Sequence, residues 1–305
     1  MKRNVSLSIG QLQKVYGDRE ALTIARRVGC DAVDFDTCAS RWDYRKPDSV
    51  FARSEDEICT YFDGLRRHAE SIGLTIGQTH GRITGFRNIK EKDDALIRNA
   101  KLDCLAAKML GADTVIIHSV TTIHMGPDAD PRLMHDLNYD MFTRILPFAK
   151  QYGVRLASET FGDATGLNCC DFFGNIDELI ASYKRVCADG DNADYMSYCV
   201  DTGHSHKATR FPGNPSSADV IRMLGKDIST LHLNDNDTFS DQHKLPLTGT
   251  LDFHDIFDAL DEVGYGGNYN MELDLAWFGK GFLCETAEFG VKLMRYLLRE
   301  HYGEA

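Results

Sequence analysis

Short β-rich runs alternate with helical patterns from one end of the chain to the other, and this rhythm restricts the fold more than any other feature. Eight runs have strand character: 5–8, 32–36, 75–79, 114–118, 155–159, 196–201, 230–233 and 268–272. Most are continuous apolar runs rather than strict alternations, the pattern of strands buried on both faces. Between them, Ser54 with Glu57 forms a capping box, followed by an apolar stripe at Ile58, Tyr61, Phe62, Leu65, Ala69 and Ile72. Asn175 and Glu178 make a similar start ahead of Leu179, Ile180, Tyr183 and Val186. Segments 93–110, 137–152, 253–263 and 286–299 read as further helices, and Gly73, Gly111, Gly153 and Gly264 stand where helices give way to strands.

Eight β-α repeats with no break in composition predict an α/β fold, a (β/α)8 TIM barrel forming one domain over residues 1–305. A doubly wound sheet uses the same units. No G-x-G-x-x-G follows the first strand, however, so no nucleotide cofactor is expected. The nine cysteines are odd in number and show no C-x-x-C spacing, which points to a reducing, cytoplasmic setting. The neighbours Cys169 and Cys170 read as ordinary thiols. No apolar run approaches the ~20 residues that cross a bilayer, and the first residues lack a secretory core, so no membrane association is expected. A net charge of −12 works against binding a nucleic-acid backbone.

Irregular stretches at 37–53, 81–92, 119–132, 160–174, 203–216 and 234–250 all follow predicted strands. In a barrel they share the C-terminal face, where active sites form. Ligand-type side chains mark the same strand ends: Glu159 on strand five, Asp201 on strand six, His232 on strand seven and Glu272 on strand eight. Three carboxylates brought together repel unless one is protonated or a cation joins them. Three oxygen donors and one imidazole suit one divalent ion: manganese, magnesium, cobalt or zinc. His80 follows strand three, His118 ends strand four and His204 lies three residues past Asp201. These three read as substrate contacts. Asp241 and His243 read as additional metal or substrate ligands. Phe161, Trp277 and Phe278 lie near the same rim and are placed to cover the apolar face of a bound ligand. Trp42 and Tyr44, after strand two, are expected to close the pocket or to pack against another subunit.

The segments S-E-T, V-D-T-G-H, H-L-N-D, D-x-H-K-x-P-x-x-G and M-E-L-D together resemble the sugar isomerase/epimerase superfamily with the xylose-isomerase-like TIM barrel. Its members also include dehydratases and endonuclease IV-type repair enzymes. The resemblance covers nearly the whole chain. It implies a single-metal site at Glu159, Asp201, His232 and Glu272, a carbohydrate substrate touched by His204, and a homo-oligomer. It implies isomerisation or epimerisation through an enediolate, with Glu159 and Glu272 moving the proton. Two other activities follow from the same resemblance: a lyase or dehydratase acting on a keto sugar or inosose, and an endonuclease IV-like phosphodiesterase. The trinuclear set of the latter matches His80, His118, Glu159, Asp201, His204, His232, Asp241, His243 and Glu272. The chain departs from the ketose 3-epimerase pattern at Thr165, at Thr238 and across 246–250.

Overall fold

The computed structural model describes residues 3–303. Eight parallel strands form one sheet: β1 (Val5–Ser8), β2 (Ala32–Asp36), β3 (Thr75–His80), β4 (Thr114–Ile117), β5 (Arg155–Glu159), β6 (Met196–Asp201), β7 (Ile228–His232) and β8 (Tyr269–Met271). From β1 to β7 each strand pairs with the next in sequence, and β1 also pairs with β8. The seam between β7 and β8 is closed just past the end of β7. There the Leu233 amide donates to the Asn270 carbonyl at 2.8 Å, and the Glu272 amide donates to the Leu233 carbonyl at 3.2 Å. The result is a (β/α)8 barrel.

Helices wrap the sheet. Ser54 caps Glu55–Ser71 as its sequence predicts: Ser54 Oγ accepts from the Glu57 amide, and Glu57 Oε2 accepts from the Ser54 amide at 3.1 Å. The helix packs Ile58, Phe62 and Leu65 inward, where Phe62 meets Phe35 of β2 edge-on with ring centroids 6.2 Å apart. Gly153 ends the helix Pro131–Tyr152 at φ +68°, a left-handed position that a Cβ disfavours.

Several helices extend beyond their predicted bounds. The helix predicted over 93–110 starts at Lys90, because Asp93 Oδ1 and Oδ2 accept from the Arg87 and Ile89 amides and so tie down the preceding turn. The helix predicted from 137 starts at Pro131, where the Asp130 carboxylate caps the chain and proline needs no amide partner. The final helix spans Leu283–Tyr302. Two short helices, Thr122–Met125 and Thr202–Ala208, lie in stretches expected to be irregular. Among the described residues no helix is long and apolar enough to cross a membrane.

Trp42 and Tyr44 are not gates. Trp42 is 1% exposed, within an aromatic cluster of Phe35, Phe51, Tyr61 and Phe62. Tyr44 packs against the core with the Arg98 guanidinium 4.0 Å above its ring. Loop 37–53 is therefore fixed to the barrel by a buried tryptophan. Replacing Ser54 with alanine removes one half of the capping box and should cost ~1 kcal/mol in urea unfolding, with the slope unchanged.

Candidate functional site

Four strands deliver four side chains to one point under the barrel mouth. Glu159 ends β5 and His232 ends β7, both fully buried. Glu272 follows β8 with 24% of its side chain open, and His80 ends β3. Their ligand atoms all lie within 4.8 Å of one another. His232 Nδ1 is 3.1 Å from Glu159 Oε1 and 3.2 Å from Glu272 Oε2. His80 Nε2 is 3.4 Å from Glu159 Oε2 and 3.9 Å from Glu272 Oε1, and its ring stacks on His232 with centroids 5.2 Å apart.

Asp201, the fourth member of the sequence-derived set, stands slightly aside. Its Oδ2 is 4.0 Å from His232 Nδ1 and accepts from Asn234 Nδ2 at 3.0 Å, while its Oδ1 caps the following helix through the His204 amide at 2.7 Å. It joins two overlapping groups instead, one with Glu159 and His204 and one with His243 and Glu272. Gly203 makes this possible. A Cβ there would come within 1.9 Å of Asn234 Oδ1, so only glycine lets the helix carrying His204 settle on the end of β7.

His204, Asp241 and His243 form a further group. Asp241 Oδ2 lies 3.3 Å from His204 Nε2 and 3.4 Å from His243 Nε2. The loop that holds Asp241 and His243 is anchored by Asp235, which is fully buried and accepts from the backbone amides of Asn236, Gly249 and Leu251 at 2.9, 2.8 and 3.1 Å. His243 sits at φ +43°, a strained position for a residue with a Cβ, held by hydrogen bonds to the end of β8.

The histidines are oriented by their far nitrogens. His232 Nε2 donates to Asp34 Oδ2 at 2.9 Å, His204 Nδ1 to the Thr160 carbonyl at 3.0 Å and His243 Nδ1 to the Glu272 carbonyl at 3.1 Å. In each neutral ring the remaining lone pair then points at a carboxylate oxygen. Lone pair and carboxylate repel, so each pairing needs either a second proton on the ring or a shared cation. Glu159 Oε2 and His118 Nε2 show the same need: they approach to 2.8 Å, buried, without the alignment of a hydrogen bond. Imidazoles fixed through one nitrogen by a carbonyl or carboxylate and offering the other to a cluster of carboxylates are the donor set a divalent cation takes.

The electrostatics express the second-proton alternative. Burial opposes ionisation of Glu159, but His118 and His232 outweigh it and hold the carboxyl well below its ordinary range. Burial also opposes a charge on His80 and on His243. The carboxylates beside them win, Glu159 and Glu272 pushing His80 up to about 9, and Asp241 and Glu272 pushing His243 up to about 10. At Asp201 burial prevails and its carboxyl is raised.

All these groups open into, or lie directly beneath, one cavity of about 1310 Å³ at the C-terminal mouth of the barrel. His118 lines it, with Phe161 edge-on at 5.1 Å. Trp277 lines it too, 47% exposed, with the Lys244 ammonium 5.5 Å from its ring centre. Phe278 is 61% exposed and is not part of the lining, so it covers no ligand in this conformation. His206 turns away to hydrogen-bond Thr250.

Sequence reasoning missed two participants. Asp34 lies in mid-strand, fully buried, and orients His232; a carboxylate inside an apolar run was its signal. Lys207 is 2% exposed and lines the cavity with its ammonium 2.6 Å from Asp163 and 3.6 Å from Asp241. Its helix was read as loop, so nothing marked it as buried.

A family model described as xylose isomerase-like TIM barrel matches residues 22–281. The chain belongs to this family. Among curated proteins it resembles the uncharacterized protein MJ1311 of Methanocaldococcus jannaschii, 22% identical over 182 residues, covering 58% of this chain and 57% of that protein. The chain thus spans little more than half the length of this relative. Among solved structures, a D-tagatose 3-epimerase-like protein superposes with a TM-score of 0.72 at 17% identity, covering 98% of each chain. The IOLI protein, solved with a zinc atom, superposes with a TM-score of 0.67 at 16% identity, covering 98% of this chain and 97% of that one. These likenesses establish the barrel.

The raised His80 and His243 values carry a sign. In chelator-treated protein their charge stabilises the fold fully below the ordinary 6.5, and that contribution disappears as pH rises through about 9 and about 10. The Tm of chelator-treated protein should therefore fall between pH 7 and 10, more steeply than that of a His80→Gln, His243→Gln variant treated alike. Equal slopes would show that the two rings carry no such charge.

Proposed function

We propose that the protein is a divalent-metal-dependent isomerase or epimerase acting on a sugar or sugar derivative by proton transfer next to a carbonyl. The observation that carries this reading is the placement of Glu159 and Glu272, from β5 and β8, on either oxygen-bearing flank of His232 Nδ1 at 3.1 and 3.2 Å. Two carboxylates at that spacing can both reach one small substrate, and the histidines around Glu159 keep it ionised, as a base must be.

Glu159, Asp201, His232 and Glu272 are the residues that would hold the ion, with His80 beside them. A divalent ion there would polarise the substrate carbonyl and stabilise the negative charge that develops on it. Glu159, fully buried and ionised, takes the carbon-bound proton. Glu272, whose side chain is 24% open, delivers a proton to the other face or the neighbouring carbon and is the one that trades protons with solvent. His204 sits where its Nε2 can meet a substrate hydroxyl, competing with Asp241. His80 and His118 border the same space, and Phe161 and Trp277 offer flat apolar surfaces for a sugar ring. Asp34 keeps His232 in one tautomer by accepting at Nε2.

The epimerase likeness and the zinc of a structural neighbour support this reading. One observation favours a second: His204, Asp241 and His243 form a separate donor group, as a multi-metal phosphodiesterase requires. Counting ions separates the two, because proton transfer needs one tightly held ion per chain, whereas the hydrolase needs two or three.

The reaction itself is tested by exchange of substrate carbon-bound hydrogen with D2O across a panel of ketoses and inososes. Glu159→Gln and Glu272→Gln should each lower metal-dependent exchange by about 10²-fold or more. Unchanged exchange in either variant would refute the two-carboxylate mechanism.

A further inference from the structure

Lys207 takes no part in the proton transfer, yet it is 2% exposed, and burying an ammonium is costly unless anions compensate it. It stands three residues beyond His204 on the helix Thr202–Ala208 and lines the same cavity. Its Nζ lies 2.6 Å from Asp163 Oδ1 and 3.6 Å from Asp241 Oδ1. The position is fixed from both sides. Arg210 Nη2 donates to Asp163 Oδ2 at 3.1 Å and so holds that carboxylate where Lys207 meets it. Gly162 lets the helix lie against the segment after β5, since a Cβ there would come within 2.7 Å of the His204 carbonyl oxygen and 3.1 Å of Lys207 Cβ.

Asp241 is the only carboxylate of the outer donor group, which it forms with His204 and His243. Both of its oxygens are engaged. Oδ2 faces the two imidazoles at 3.3 and 3.4 Å, and Oδ1 faces Lys207. A second divalent ion at this group would have to share that one carboxylate with an ammonium held away from water. Two neutral imidazoles and a single anion leave such an ion undercompensated, and the lysine adds a like charge beside it. The floor differs. Glu159, Asp201 and Glu272 supply three carboxylates there, and among the described residues their ion-pair partners are all histidines.

We propose that Lys207 takes the place of a second metal ion: its ammonium limits the centre to one divalent ion on the floor and leaves His204 Nε2 to a substrate hydroxyl. This inference rests on the metal-dependent reading of the site. It makes Lys207 a positioning residue that acts through Asp241.

The test is calorimetric titration of chelator-treated protein with Zn²⁺ and with Mn²⁺, read together with the number of ions that stay on each chain through gel filtration. The parent should hold one tight ion. Lys207→Gln should hold that ion and gain a second, bound about a hundredfold or more tightly than any second ion on the parent. Adding Asp241→Asn to Lys207→Gln should remove the gained ion and keep the first. Arg210 still pairs with Asp163 in these variants, and Lys207→Met gives the same readout should Lys207→Gln fail to fold. One ion per chain in the parent and in the folded Lys207 variants alike overturns the role of Lys207 and leaves the single-ion reading standing. A gained ion that survives Asp241→Asn overturns that role as well. Two or three tight ions on the parent overturn the role and the single-ion reading together, and a parent that binds neither metal overturns metal dependence as a whole.

Discussion

Everything at the barrel mouth depends on making Glu159 tolerable. A carboxylate with no exposure costs several kcal/mol unless charge and hydrogen bonds compensate it. Here the compensation comes from imidazoles on three other strands or strand ends: His80, His118 and His232. Each is in turn committed. His232 is fixed by Asp34, and Asp34 leans on Ser8 of β1 through a 3.0 Å hydrogen bond. A single buried acid on β5 thereby ties together β1, β2, β3, β4 and β7. The barrel order is what allows it, because only a closed sheet brings Asp34 in the middle of β2 within reach of His232 at the end of β7.

The same compensation explains the behaviour of neighbouring groups. Glu159 is held low by its histidines, whereas Asp201, reached chiefly by Asn234 and a helix amide, is raised by burial. Two carboxyls a strand apart are pushed in opposite directions. Glu159 is built to stay charged, and Asp201 needs a further positive charge to be comfortable as an anion. That need is met either by a shared cation or by the second proton that the surrounding carboxylates hold on His204 and His243.

The barrel and the strand-end residues were legible in the sequence because both follow periodicity. Apolar runs mark doubly buried strands, and ligand-type residues directly after them are where a barrel places chemistry. Helix starts were less legible. Lys90 begins its helix because the carboxylate of Asp93 folds back onto two amides outside it, which no apolar stripe reveals. The Asp130-Pro131 start carried an explicit signal that was masked by the weaker apolar pattern before Leu137. Trp42 misled because aromatic residues in a loop suggest a gate, while a ring under a 3-10 turn can equally plug the core. Asp34 was hidden by its position. Attention to strand ends overlooks an acid in mid-strand, although its burial alone required a partner.

The composition of the mouth also bears on what can enter it. Eight carboxylates line the cavity against three lysine or arginine side chains, and Lys207 and Arg41 are already engaged with Asp163 and Asp18. A polyanion approaching this surface gains little from counterion release, the term on which nucleic-acid affinity rests. A neutral polyhydroxylated ring meets the opposite situation. Each carboxylate is an acceptor for a hydroxyl, and desolvating an uncharged ligand costs far less than desolvating a phosphate. Without bound cations the carboxylate-rich mouth disfavours a phosphodiester, and each divalent ion held on the floor offsets two of those charges.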